Sequence, residues 1–169
     1  MTELRVRELS LEGFQTYGTF ADMVRPRGAV IGGRPIEFYR DMVSLDLGGY
    51  SAASFSVCRV EPRPMVIDVS EFHTDCGEGI LPLDGDALIH VGPATPGAEP
   101  PLGEIEVFRV PRGTMVSLRP GVWHHAPFAV GARGVNVLIV LPERTYANDC
   151  TVVPLPKARR IRIQAMRGK

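Results

Sequence analysis

Apolar residues in this chain come in short runs set off by glycine and proline, a pattern of many brief strands rather than long helices. From Glu37 onward the runs fall at 37–47, 52–60, 65–73, 78–83, 86–91, 104–110, 114–119, 124–130 and 135–141. Eighteen glycines and fifteen prolines supply the breaks, with loops expected at 62–64, 93–103, 111–113 and 142–149. One helical patch of a turn or two is expected within residues 8–25, beside the main fold. The pattern predicts a single all-β domain over residues 1–169, its core at about 37–155, with Greek-key or jelly-roll wiring.

The stretch 65–73 carries the most information. In a strand, alternate side chains share a face, so Met65, Ile67, Val69, Glu71 and His73 point one way and Val66, Asp68, Ser70 and Phe72 the other. The first face runs from hydrocarbon to acid and imidazole at one end, which is how a barrel builds a pocket at its mouth. Gly77 is expected to turn the chain sharply into the next strand, so that two adjacent antiparallel strands aim His73 and Glu78 at one point. A Pro-Gly turn at 120–121 leads into Trp123-His124-His125, and alternation allows only one of the two histidines to face inward.

Charge and composition narrow the partners. Hydrophobic residues make up 44% and charged residues 22%, with zero formal net charge, so no global field recruits nucleic acid or an anionic membrane. The opening MTELRVRELS lacks a secretory pattern, and the longest apolar run, 135–141, is too short to cross a bilayer. A cytoplasmic protein is the expectation. Cys58, Cys76 and Cys150 form no Cys-x-x-Cys pair, which points to incidental thiols; Cys76 stands out because it lies between two candidate ligands. The last thirteen residues carry six basic side chains. Their alternation at 160–163 suits a short, solvated edge strand better than a phosphate-contacting arm.

The spacing Glu71-x-His73-x4-Glu78-x6-Gly85 resembles the first cupin motif, with Glu71 in place of its first histidine. Gly113…Gly121-x2-His124 resembles the second. The resemblance implies a jelly-roll β-barrel with Glu71, His73, Glu78 and His124 as metal ligands. A closer similarity is to the ureidoglycolate lyase family of cupins. Arg59-Val60-Glu61-Pro62, Glu71-Phe72-His73, Pro82-Leu83-Asp84-Gly85-Asp86 and Gly121-Val122-Trp123-His124-His125 carry it, with Pro127 following. The sequence departs from the family pattern at Glu78 (usually Gln), Asp84-Gly85 (often Lys-Gly), Leu118 (His) and Leu141-Pro142 (Asp-Arg).

This similarity implies a lyase that splits ureidoglycolate into glyoxylate and urea in purine and allantoin nitrogen catabolism, acting as a homodimer on a small carboxylate. Two imidazoles and two carboxylates suit divalent Ni, Zn, Mn or Fe. Glu78 or His124 is expected to move protons. Arg59 and Arg119 are candidate anion binders, because a guanidinium matches a carboxylate bidentately. Trp123 is a candidate pocket wall, with core packing the alternative. Two other readings stay open: a cupin enzyme on another hydroxy or sugar acid, and a non-catalytic cupin that binds a small anion.

Overall fold

A computed structural model describes residues 2–164. The chain opens with β1 (Thr2–Leu4), β2 (Val6–Glu8), a four-residue helix α1 (Leu11–Phe14) and β3 (Gly18–Asp22). A hairpin, β4 (Val30–Gly33) and β5 (Ile36–Tyr39), precedes β6 (Ala53–Val60), β7 (Val66–Ile67), β8 (Val69–Phe72) and β9 (Glu78–Pro82). The middle of the chain forms β10 (Ala87–Val91), β11 (Glu106–Val110), β12 (Thr114–Leu118) and β13 (Phe128–Ala129). It closes with β14 (Val135–Pro142), α2 (Thr145–Asn148), β15 (Thr151–Pro154) and β16 (Ile161–Ile163).

Two sheets face each other, as the all-β reading expects. One has the order β3-β12-β9-β14-β6 and the other β13-β10-β11-β2. Ile80, Val116 and Val137 from the first meet Ile89, Val91 and Phe108 from the second in the main core, where each such side chain contributes roughly 1.5–3 kcal/mol on full burial. A second core lies behind the four-stranded sheet. There Leu88, Val107 and Phe128 pack against Ile67, Leu155, Ile161 and Ile163, beside an outer sheet of order β1-β16-β7. Strand β10 is therefore covered on both faces, which explains why all five of its residues, four apolar ones and His90, are buried. Ser10 caps α1 by accepting from the Gly13 N–H, and the helix delivers Phe14 edge-on to Phe108.

Several expectations needed correction. The strand expected at 37–47 ends at Tyr39. The stretch 65–73 splits at Asp68, whose carbonyl accepts from Leu155 N–H; β7 joins the outer sheet, whereas β8 pairs with β15. The 124–130 run is paired regularly only at β13, because Pro127 has no N–H to give a ladder. Strands β1 to β4 and β15 went unread, since short strands paired to distant segments leave little local periodicity. The alternating 160–163 segment is no edge: β16 is the middle strand of its sheet, with Ile161 and Ile163 buried. The basic positions 167 and 169 lie outside the described residues.

Candidate functional site

Residues 123–124 pass between two strands, with Glu71 paired to His124 and Gly92 to Trp123. This seats the second motif beside the first. His73 follows β8 and is fixed twice: its carbonyl accepts from Gly121 N–H at 2.7 Å, and its Nδ1–H donates to the Asp149 carbonyl at 2.6 Å. The Asp149 carboxylate in turn accepts from the backbone N–H groups of Thr74 and Asp75. Gly121 sits at φ 79° in the Pro-Gly turn, a conformation glycine adopts without strain. Gly77 is required for a different reason from the one expected: a Cβ there would lie 2.3 Å from the Leu118 carbonyl oxygen.

Glu78 opens β9 and is 7% exposed. Its Oε2 lies 3.1 Å from His73 Nε2 and 3.0 Å from His124 Nε2. Convergence is as expected, but β8 and β9 are not paired neighbours. The Nδ1–H of His124 donates to the Val122 carbonyl at 2.8 Å. Both imidazoles therefore commit Nδ1–H to backbone carbonyls and turn Nε2 toward one carboxylate oxygen. Three ligand atoms within 4.8 Å of one another, all from buried residues, result. Neutral rings would oppose their lone pairs to a carboxylate, so the group calls for a cation or a proton. This is also how ligating histidines are oriented in metal sites, and the donor set fits a divalent metal.

Burial by itself pushes the Glu78 carboxyl up, but the facing rings of His124 and His73 overcome it and hold the group at about 2. Burial likewise pushes His124 down, and the Glu78 carboxylate more than reverses this, leaving the ring raised. The two groups favour a buried ion pair when no metal is bound.

The cavity beside this group holds about 170 Å³ and is lined by Glu71, His73 and Glu78, the thiols Cys58 and Cys150, and a wall of Ile139, Leu141, Ala126, Pro127 and Tyr146. Glu71 is placed in the pocket but outside the group of three; its Oε2 accepts from the Cys150 thiol at 3.5 Å. Burial, reinforced by Glu71, pushes that thiol up to about 12, so it stays a donor. Cys76 is buried beside Thr145 and Asp149 and takes no part in the group.

The other expected site residues lie elsewhere. Arg59 is exposed and ion-paired with Glu61. Arg119 bonds the Gln15 carbonyl and borders a separate cleft with Gly18 and Ser117. Trp123 is fully buried against Phe72, with its indole N–H on Thr95 Oγ1, which selects the core-packing alternative. Among the described residues no lysine or arginine lines the cavity. Sequence reasoning missed Asp149, Cys150 and Tyr146. It also missed Arg63, whose guanidinium lies over the Phe128 ring and bonds the carbonyls of Ala126 and Pro127 in the cavity wall. Spacing gives no signal for contacts spanning 76 residues, as between His73 and Asp149.

The sequence profile of the ureidoglycolate lyase family matches residues 1–162. A ureidoglycolate lyase from Rhodobacter capsulatus is 27% identical over 137 residues, 79% of this chain and 83% of that protein. Among solved structures, oxalate decarboxylase from Bacillus subtilis aligns at 18% identity and TM-score 0.43, over 61% of this chain. The chain spans 24% of that protein's length. A dTDP sugar isomerase from Desulfovibrio desulfuricans G20 aligns at 15% identity and TM-score 0.48, covering 82% of this chain and 83% of the other.

Proposed function

The chain belongs to the ureidoglycolate lyase family, and on that footing we propose that it cleaves ureidoglycolate to glyoxylate and urea in the cavity beside His73, Glu78 and His124. The observation that carries this reading is one of charge. The cavity presents two carboxylates, Glu71 and Glu78, and no guanidinium or ammonium group among the described residues. A small anionic substrate binds there only if a divalent cation offsets the acids.

His73, Glu78 and His124 hold the metal in this proposal, with Ni, Zn, Mn and Fe all compatible with the donors. Once bound, the metal supplies Lewis-acid polarisation of the substrate's hydroxyl and carboxylate oxygens. The chain's own residues do the rest. Glu71, oriented by the Cys150 thiol, accepts the proton of the substrate hydroxyl. The C–O bond becomes the carbonyl of glyoxylate as the C–N bond breaks, and Glu71 returns the proton to the departing urea nitrogen. No water enters, so atoms balance. Ile139, Leu141 and Pro127 exclude solvent from the reacting face. The cavity falls below the roughly 300–1,000 Å³ of drug-sized sites, which suits a short acid. Arg59 and Arg119 have no role in it.

The whole of 1–169 acts as one domain in this reading, as a cytoplasmic homodimer. No helix among the described residues is long and apolar enough to cross a membrane. Val30, Ile31, Ile36 and Phe38 of the β4–β5 hairpin and Phe55 and Val57 on the outer face of β6 are exposed. These large apolar side chains are left exposed on two elements, and a stable interface buries roughly 800 Å² per partner. A second copy of the chain is the partner proposed for this surface.

The test is to load the purified protein with divalent metal, add ureidoglycolate and follow glyoxylate. Release above the non-enzymatic rate, lost in His124→Ala with the fold intact, is expected. A rate equal to background removes the reading.

A further inference from the structure

Behind the pocket lies a polar pair that the reaction does not use directly. Ser70 and His90 are 0% and 1% exposed. His90 is on β10, on the face that Leu88 turns to the second core. Ser70 Oγ lies 3.2 Å from His90 Nε2 and donates to the His124 carbonyl oxygen, also at 3.2 Å. A serine hydroxyl has one proton. Spending it on His124 leaves the oxygen to accept from His90, which fixes the protonated nitrogen of His90 as Nε2. His90 Nδ1 has no partner among the described residues, and in this tautomer it is a bare acceptor rather than an unsatisfied donor. Burial keeps the ring far below its ordinary value and so uncharged, consistent with a single-proton imidazole.

We propose that Ser70 and His90 are positioning residues for His124: a directional chain, His90 Nε2–H to Ser70 Oγ–H to the His124 carbonyl, holds the backbone that aims His124 Nε2 at Glu78. The same carbonyl oxygen accepts from the Glu71 N–H at 2.6 Å, and the His124 N–H donates to the Glu71 carbonyl at 2.8 Å. The His124 carbonyl is thereby a shared acceptor for two consecutive residues of β8, which fixes the peptide from which Nε2 reaches Glu78. The inference rests on His124 belonging to the reacting centre.

Histidine-labelled protein examined by long-range ¹H–¹⁵N correlation tests it without turnover or metal. His90 is expected as the Nε2–H tautomer, and Ser70→Ala is expected to shift the His124 ring resonances. A His90 protonated at Nδ1, or His124 resonances unchanged in Ser70→Ala, overturns the proposal. With substrate, Ser70→Ala is expected to lower kcat about 10- to 100-fold, with KM and melting temperature little changed. His90→Gln, which keeps a donor near the Nε2 position, is expected to stay closer to wild type than His90→Leu. A purely structural pair would lower the melting temperature and leave kcat intact, which also overturns it. If wild-type protein releases no glyoxylate while the NMR results hold, the reaction assignment falls and the positioning role stands.

Discussion

His73 and His124 present their Nε2 atoms to the same oxygen of Glu78, at 3.1 and 3.0 Å. The two rings stand 5.2 Å apart at 64°, and each is anchored at Nδ1 by a carbonyl. A centre prepared in this way makes definite demands on pH, charge and substitution.

Metal-free protein, prepared with a chelator, is expected to be most stable between about pH 4.3 and 6.5. Glu78 is held at about 2, below its unfolded value of about 4.3, so its contribution is present above that value and lost as pH falls through about 2. His124 is raised above about 6.5, so its contribution is complete below that value and lost as pH rises through the raised one. Thermal melts across pH 2–9 check this. Metal binding must also expel the His124 proton, so calorimetric titrations in buffers of different ionisation enthalpy should report proton release.

Glu78→Gln removes the one charge that both rings share. Divalent metal affinity is expected to fall at least about 10-fold, and the raised position of His124 should disappear. Competition against a chromogenic chelator measures the first effect and histidine NMR the second. Unchanged affinity would show that Glu78 is not a ligand.

Glu71→Gln retains the shape of the pocket and its contact with Cys150 but cannot accept a proton. Turnover is expected to drop by about 10² to 10⁴, with metal content and the circular dichroism spectrum preserved. Full activity in this variant would assign the proton transfer to another group.

The thiols offer a check on burial. Cys76 is pushed up to about 11 and Cys150 to about 12, mainly by burial. At pH 8 neither should react with iodoacetamide in the folded protein, whereas denaturant should expose both. Peptide mass spectrometry distinguishes the two outcomes.

Phe38→Glu together with Phe55→Glu places charge on the proposed partner surface. Sedimentation velocity should show wild type as a dimer and the double variant as a monomer of unchanged fold. A wild-type monomer would sink the assignment of that surface.

The convergence of His73, Glu78 and His124 is legible in the sequence because two motifs with glycine-marked turns fix their spacing, and the core strands β9 to β12 are legible from their mostly apolar runs. Tertiary hydrogen bonding is not. Alternation through 65–73 concealed the break at Asp68, which a distant Leu155 N–H imposes. Arg59 and Arg119 look like anion binders by residue type, but chemistry does not reveal direction: Arg59 pairs with nearby Glu61, and Arg119 bonds the Gln15 carbonyl, 104 residues away. Trp123 looked equally suited to wall or core until Phe72 and Thr95 claimed its ring. Motif register points to Glu71 as a ligand, whereas its carboxylate accepts from the Cys150 thiol, 79 residues away.

Asp149 braces His73 with its carbonyl and the 74–75 turn with its carboxylate, while the next residue steadies Glu71. All three convergent side chains thus precede in the sequence the segment that fixes His73 and the neighbouring Glu71. The centre takes its final form only once residues 149–150 have joined the fold, and a chain cut before them would keep the motifs while losing the brace on His73 and Glu71.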